Sequence, residues 1–176
     1  MKQKAESLID KLDLLSEIIL ESPKEPSNYY NRAIILYVLE RFEEAERDFT
    51  KAISLDENNS LSYFNRGTFY LNQKRYKEAR ADLLKSVRLN SKFAEAHYNL
   101  ACVFVNIFNY REAVFALDCA VNLDRRYLNI ARKDPDFQKI SKMKEFQEIM
   151  MKIWYIILDK MYQKLYIFWR KSWEYF

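Results

Sequence analysis

The sequence predicts an all-α solenoid, and three observations support that prediction. One 34-residue pattern occurs three times without an insertion, in units that begin at Pro26, Ser60 and Ala94. A fixed period of this length is the mark of a stacked repeat architecture. Apolar residues recur at helical spacing in both halves of each unit. The whole chain of 176 residues contains one Gly and three Pro, too few to supply the turns of a β-rich fold.

Residues 1–25 are expected to form an N-terminal capping helix. The first unit of a stack has an apolar side with no neighbour, and a terminal helix can cover it. Pro23 and Pro26 mark the end of this helix, because the residue before a proline is disfavoured in the helical region. The apolar side chains that share one face of the helix are Leu8, Leu12, Leu15 and Ile19.

Each repeat unit is expected to be a pair of helices, with the units spanning 26–59, 60–93 and 94–127. In the first unit an apolar stripe begins at Tyr29, is interrupted at Glu40 and starts again at Phe42. Small residues at two repeat positions would let the paired backbones approach closely. These residues are Ala33, Gly67 and Ala101 in the first helices, and Ala45, Ala79 and Ala113 in the second.

The units resemble tetratricopeptide repeats, whose signature places an aromatic residue, Gly, Tyr, Ala, Phe and Pro at fixed steps. The match departs at the closing Pro, which is replaced by Glu57, Ser91 and Arg125, and no unit carries the Trp of the signature. The resemblance implies a right-handed α-solenoid of helix–turn–helix units. The positions that match include the first aromatic (Tyr29, Tyr63, His97), the tyrosine position (Leu36, Tyr70, Phe104) and the phenylalanine position (Phe49, Leu83, Leu117).

The same resemblance implies that the first helices line a concave groove that binds a partner peptide. The rows of aromatic and Asn side chains in this set suit a peptide, since an amide offers both a donor and an acceptor. Alternatively, the Asn row bridges adjacent helices. The positions that face the groove in this family correspond to Tyr30, Asn31, Ile34 and Tyr37, to Phe64, Asn65, Thr68 and Asn72, and to Tyr98, Asn99, Cys102 and Asn106.

One class of ligand is disfavoured by these residues. Tetratricopeptide repeats that clamp the C-terminal carboxylate of chaperone peptides use Lys, Arg and Asn at set positions, and only Asn65 matches that set here. Glu95 occupies one of the basic positions and would repel a carboxylate. The groove is therefore expected to prefer an apolar or basic peptide.

Residues 128–150 depart from the 34-residue pattern and are expected to cap the C-terminal end. Asp134 followed by Pro135 is a strong helix start. Bacterial tetratricopeptide proteins often end with a similar DPDF-then-EF segment. The apolar contacts would come from Phe137, Ile140, Phe146 and Ile149.

Residues 151–176 are predicted to form an aromatic, basic helix. All three tryptophans of the chain lie there, at Trp154, Trp169 and Trp173. A helix that is apolar over most of its circumference must be covered by something. The alternatives are the solenoid itself, a second copy in a homodimer, or a membrane surface.

No catalytic, metal or cofactor site is expected. His97 is the only histidine and occupies an aromatic packing position, while Cys102 and Cys119 lack zinc-ligand spacing. The single Gly67 excludes a glycine-rich phosphate loop. Residues 125–176 contain 12 basic and 6 acidic residues, an interleaved surface that does not indicate specific nucleic-acid binding.

The sequence is thus interpreted as a non-catalytic protein–protein interaction adaptor. The low cysteine content and the absence of a signal peptide suggest a cytoplasmic location. In a sharper hypothesis, residues 151–176 occupy the groove as an internal mimic of the ligand. The alternative function is a self-assembling or membrane-peripheral scaffold held together by that segment.

Overall fold

The computed structural model describes residues 2–151, with side chains from Glu6 onward, and within this range all regular structure is α-helical. This confirms the predicted all-α fold class. Residues 144–151 are also helical. The earlier helices are α1 (Lys2–Glu21), α2 (Pro26–Val38), α3 (Phe42–Leu55), α4 (Ser60–Asn72), α5 (Tyr76–Leu89), α6 (Ala94–Asn106), α7 (Tyr110–Leu123), α8 (Arg126–Lys133) and α9 (Pro135–Gln138).

The helices pack as antiparallel pairs that stack in sequence. α2 packs on α3, α4 on α5 and α6 on α7, and successive pairs meet through α3 with α4 and α5 with α6. The first helix of each pair has 13 residues and the second has 14. Equal lengths keep the pairs in register, so that equivalent side chains meet equivalent surfaces along the stack.

α1 precedes the first pair and packs on α2. Its predicted apolar face is turned inward, since Leu12 and Ile19 are buried. Ser16 of α1 lies 34 residues before Thr50 of α3, and the two hydroxyls make the same kind of contact with an arginine. α1 therefore takes the place of a second helix that precedes the first unit.

The small residues lie where the paired helices are closest. Ala33 and Ala45 of the first unit, like Ala101 and Ala113 of the third, have no exposed surface. At Gly67 a Cβ atom would lie 2.8 Å from the Leu83 Cγ atom. A methyl group at that distance would force a neighbour to move, so the second pair is packed more closely than an alanine permits.

In each of the first two units, a buried ion pair joins the two helices of that unit. Arg32 of α2 donates to both carboxylate oxygens of Asp48 in α3, at 2.6 and 2.9 Å. Arg66 of α4 makes the equivalent bonds to Asp82 of α5, also at 2.6 and 2.9 Å. Each carboxylate is about nine-tenths buried, so each depends on its arginine for the polar contacts that water no longer supplies.

The third unit replaces this ion pair with apolar residues. Leu100 and Ala116 stand at the positions of the arginine and the aspartate, and both are buried. Leu84 of α5 stands 34 residues after Thr50, at the position of the hydroxyl residue that contacts the arginine. It is partly buried against the core that contains Leu100 and Ala116. The arginine, the aspartate and the hydroxyl residue are all replaced by apolar residues, so no charge is left unpaired at this position.

The turn inside each unit contains a residue with a left-handed backbone. Glu40, Lys74 and Phe108 have φ values of 58°, 58° and 64°. Glycine is the usual choice for this conformation because it has no Cβ atom to clash with the backbone. Three side-chain-bearing residues at one repeat position show that the stacked pairs impose the turn.

The C-terminal elements fold over the third pair. α8 packs on α7, and α9 packs on α6. Asp134 caps α9 through its Oδ1 atom, which accepts from the Asp136 amide at 2.9 Å, and Pro135 is the first helical residue. The predicted helix start at Asp134-Pro135 is confirmed. The predicted apolar contacts are also buried, at Phe137, Ile140, Phe146 and Ile149.

Candidate functional site

The predicted binding residues lie on one face of α2, α4 and α6, which we call the inner groove. Hydrogen bonds between successive first helices place them on a common side. The Asn72 amide donates to the Tyr37 hydroxyl at 2.9 Å, and the Asn99 amide donates to the Thr68 hydroxyl at 2.8 Å.

The amide row is used in two ways. The Asn31 side chain is exposed and makes no hydrogen bond within the described residues. Asn65 donates to the Leu61 carbonyl of its own helix at 2.6 Å, and Asn99 bridges to Thr68 of the previous helix. The bridging role that the sequence left open is present at Asn99, while Asn31 has its amide available.

The aromatic row is mostly covered by the protein itself. Phe64 packs against Phe93 with ring centroids 4.6 Å apart, and it is buried. Tyr98 is also buried, whereas Tyr30 is partly exposed beside Phe49. Together with Ile34, which is 37% exposed, Tyr30 supplies the accessible apolar surface of the groove in the first unit.

A segment of the same chain covers the groove in the third unit. The Tyr98 hydroxyl donates to Asp134 at 2.5 Å. The Asn106 amide donates to Asp136 at 2.7 Å, and its carbonyl oxygen accepts from the Lys139 ammonium at 3.0 Å. We call residues 134–140 the returning segment.

The returning segment also contributes apolar contacts. The Phe137 ring lies 5.6 Å from that of Tyr98 and has no exposed surface. Sequence reasoning assigned Asp134 a capping role and missed its contact with the groove. No local signal could have shown it, because the contacting residues are about thirty positions apart in the chain.

A polar cavity of about 530 Å³ lies between α4, α6 and the returning segment. Two carboxylates on one wall give it acidic character, and Lys74 is the single cation among its lining residues. A cavity of this size admits one or two side chains of a partner. Five predicted residues line it, namely Asn72, Tyr98, Asn99, Cys102 and Asn106, together with Leu71, Lys74, Tyr76, Asp134 and Asp136.

The Cys102 thiol and the Tyr98 hydroxyl of the groove are held in their neutral forms. Burial raises the pKa of the Cys102 thiol well above its ordinary value, and the nearby Asp134 carboxylate adds to the effect. Burial and the hydrogen bond to Asp134 raise the pKa of the Tyr98 hydroxyl in the same direction. A thiol that stays protonated is a poor nucleophile, so Cys102 contributes surface to the groove.

His97 has a structural contact in place of a catalytic one. Its Nε2 atom lies 3.0 Å from the Ser91 carbonyl oxygen. In the first unit the Tyr29 hydroxyl donates to the Pro23 carbonyl at 3.1 Å. Tyr29 and Pro23 are the repeat equivalents of His97 and Ser91, so the imidazole reproduces a tyrosine contact between units.

Two kinds of feature are absent from the described residues. Among residues 2–151, no group of His, Cys, Asp and Glu side chains has the arrangement needed to hold a metal ion. Within the same range, no helix combines the length and the apolar character needed to cross a membrane.

Three family models of the tetratricopeptide repeat match the chain, at residues 28–59, 49–81 and 94–127. Together they cover half of the chain. The second match runs from the second helix of the first unit into the second unit, as expected where the pairs repeat without an insertion. No curated protein is significantly similar in sequence.

Solved structures share the fold at low sequence identity. A crystal structure of MamA superposes with a TM-score of 0.72 at 14% identity, covering 93% of this chain and 94% of that one. YrrB, described as a protein of this repeat class with an unusual peptide-binding site, gives 0.67 at 18% identity, with coverage of 86% and 80%. The repeat domain of Arabidopsis OM64 gives 0.58 at 21% identity, with coverage of 61% and 91%. The fold is a right-handed α-solenoid.

Proposed function

Because the chain belongs to the tetratricopeptide-repeat family, we propose that it is a non-catalytic adaptor whose inner groove binds a segment of a partner protein. The fold supports protein–protein interaction in general. The groove is the more specific part of the proposal. It is supported by accessible polar and apolar side chains at the family's binding positions, especially Asn31 and Ile34 of the first unit.

The single observation that carries the proposal is the returning segment. It is an acidic, aromatic stretch that supplies hydrogen bonds to Tyr98 and Asn106 and a buried ring at Phe137. A groove that binds seven residues of its own chain in this way offers the same kinds of contact to another chain along its open part, in the first and second units.

The charge of the open part favours a basic and apolar partner segment. Asp134 and Asp136 line the cavity at the boundary with the returning segment. Asp136 is paired with Lys139 at 3.3 Å, whereas Asp134 makes no ion pair within the described residues. A lysine or arginine side chain entering the cavity would meet these carboxylates, while its neighbours contact Tyr30 and Ile34. Charge-assisted hydrogen bonds of this kind are about twice as strong as neutral ones.

The internal mimic suggested from sequence, residues 151–176, lies outside the described residues apart from Met151. The residues described in contact with the groove of the third unit are Asp134, Asp136 and Lys139. We therefore propose the returning segment as the internal ligand of the third unit. Deleting residues 151–176 tests the original hypothesis, which requires that the truncated protein gain affinity for peptide.

The second candidate function is a scaffold that assembles through residues 151–176, on a membrane surface or as a homodimer. The apolar side chains of that stretch favour it. Light scattering after size exclusion detects the homodimer, and sedimentation with vesicles detects membrane binding. A cytoplasmic location is part of the adaptor proposal and is supported by the low cysteine content.

Selection from a random peptide library tests the adaptor proposal. Peptides enriched on the wild-type protein should contain basic and apolar residues, and Ile34→Asn should weaken their binding about tenfold, which corresponds to ~1.4 kcal/mol. Phe115→Asn is the matched control, because Phe115 is 72% exposed on α7, away from the groove. Equal losses in both variants, or a lack of enrichment, would contradict groove binding.

A further inference from the structure

α5 carries a basic face that the inner groove does not use. Lys77, Arg80 and Arg88 line a shallow groove of about 540 Å³ together with Ala81 and Leu84. The remaining lining residue is Ile107, from the turn between α6 and α7. The α5 residues recur at helical spacing along three turns, so the charges flank a continuous apolar floor. We call this surface the α5 groove.

The three cations of the α5 groove have no counter-charge nearby. No carboxylate lines it. Within the described residues, none of the three side chains makes a hydrogen bond or an ion pair. The acids of α5 itself are engaged elsewhere. Glu78 pairs with Arg75 at 2.9 Å, and Asp82 pairs with Arg66 at 2.6 Å. The groove therefore presents uncompensated positive charge.

The combination of three basic residues at these positions occurs in the second unit alone among the three repeats, although Arg111 of α7 keeps a basic residue at the Lys77 position. On α3, Glu43 and Glu46 occupy the repeat positions of Lys77 and Arg80, so the sign of the charge is reversed there. On α7 the Arg80 position holds Val114. A helix surface that only has to be solvated can carry charges of both signs, as α3 does. A single-sign surface above an apolar floor is suited to a partner of opposite sign.

We propose that the α5 groove binds an acidic, amphipathic segment of a partner protein. Its carboxylates would pair with Lys77, Arg80 and Arg88, and its apolar side chains would cover Ala81, Leu84 and Ile107. A protein segment fits better than nucleic acid, because the floor is apolar and three charges are too few to follow a phosphate backbone.

This second surface is independent of the inner groove, and the two prefer opposite charges. The inner groove has carboxylates in its cavity wall, whereas the α5 groove has arginine and lysine. The adaptor would then hold a basic segment on one face and an acidic one on the other. Because the surfaces share no residue, each proposal can fail without the other.

The test uses the full chain and a fluorescein-labelled helical peptide of about four turns, with Leu at i, i+4 positions and Glu elsewhere. A peptide in which Gln replaces Glu is the probe control. Lys77→Glu/Arg80→Glu should weaken binding of the Glu peptide about tenfold or more in fluorescence anisotropy, and added salt should weaken the wild-type complex.

The matched control is Arg47→Glu/Lys51→Glu on α3, which changes net charge by the same amount at two exposed positions. It should leave binding within about twofold. Circular dichroism checks that both variants fold, and Ile34→Asn checks that the inner groove is uninvolved. Equal weakening by both double variants, equal binding of the Gln peptide, or no binding would overturn the proposal. So would a preference for single-stranded DNA or phosphatidylserine vesicles over the Glu peptide.

Discussion

Arg66 holds both carboxylate oxygens of Asp82 with its Nε and Nη2 atoms and reaches Thr50 of the preceding unit with Nη1, at 3.0 Å. One guanidinium therefore joins the two helices of its own unit and the unit before it. The same arrangement occurs at Arg32, with Asp48 and Ser16. These contacts fix the register of the stack at two successive interfaces.

We predict that Asp82→Ala destabilises the protein by about 3 kcal/mol, because it leaves the largely buried Arg66 without its partner. Urea denaturation measures the change. The third unit supplies the control, since Leu100 and Ala116 occupy these positions there. Arg66→Leu/Asp82→Ala should recover more than half of the loss, and a double variant as unstable as the sum of the single changes would contradict this account.

Gly67→Ala is predicted to destabilise the protein by about 1–3 kcal/mol, because the added methyl group would lie 2.8 Å from Leu83. Helix propensity alone predicts the opposite, a gain of about 1 kcal/mol. Thermal unfolding decides between the two. Ala101→Gly, at the equivalent position of the third unit, is the control and should lose about 1 kcal/mol.

Lys74→Gly is predicted to stabilise the protein by up to about 1 kcal/mol, since glycine relieves the left-handed strain at φ 58°. Part of the gain is offset by the greater freedom of glycine in the unfolded chain. The free energy of unfolding in urea measures the net effect. Arg80→Gly, at an exposed site inside α5, should instead cost about 1 kcal/mol.

Much of this fold could be predicted from the sequence because each helix pair is determined by residues close together in the chain. Each pair depends on residues within 34 positions, so periodicity places Ala33 opposite its neighbours and starts α4 at Ser60. The paired Arg32 and Asp48 could also have been noted, as both recur one unit later. The contact of Asp136 with Asn106 could not, because it depends on where the chain turns after the repeats end.

The pH dependence of stability should reveal the Glu46 contact. Hydrogen bonds from Arg75 and Tyr70 hold the pKa of Glu46 below its ordinary value of 4.5. A lowered pKa stabilises the fold above the unfolded-state value, and this contribution is lost as the pH falls through the folded-state value. Glu46→Gln should therefore cost about 1 kcal/mol at neutral pH.

That cost should disappear in acid. Urea denaturation at pH values from about 3 to 7 measures the difference between wild type and Glu46→Gln. The difference should shrink steadily below the ordinary pKa of a glutamate. Glu43→Gln, at an exposed position of the same helix, should show no such trend, and a constant difference for Glu46→Gln would argue against a charge-dependent contact.

The returning segment should loosen when its hydrogen bond to α6 is removed. Tyr98→Phe keeps the ring against Phe137 but deletes the hydroxyl that donates to Asp134. A hydrogen bond to a charged group contributes about 1.5–3 kcal/mol. Hydrogen exchange should accelerate at the amides of Asp134 and of residues 136–140 and stay unchanged in α2. Tyr37→Phe removes a hydroxyl that accepts from the exposed Asn72 and should leave residues 134–140 unaffected. Unaltered exchange in Tyr98→Phe would mean that apolar packing alone holds the segment, and the polar side chains of the third unit would then lose their proposed part in ligand capture.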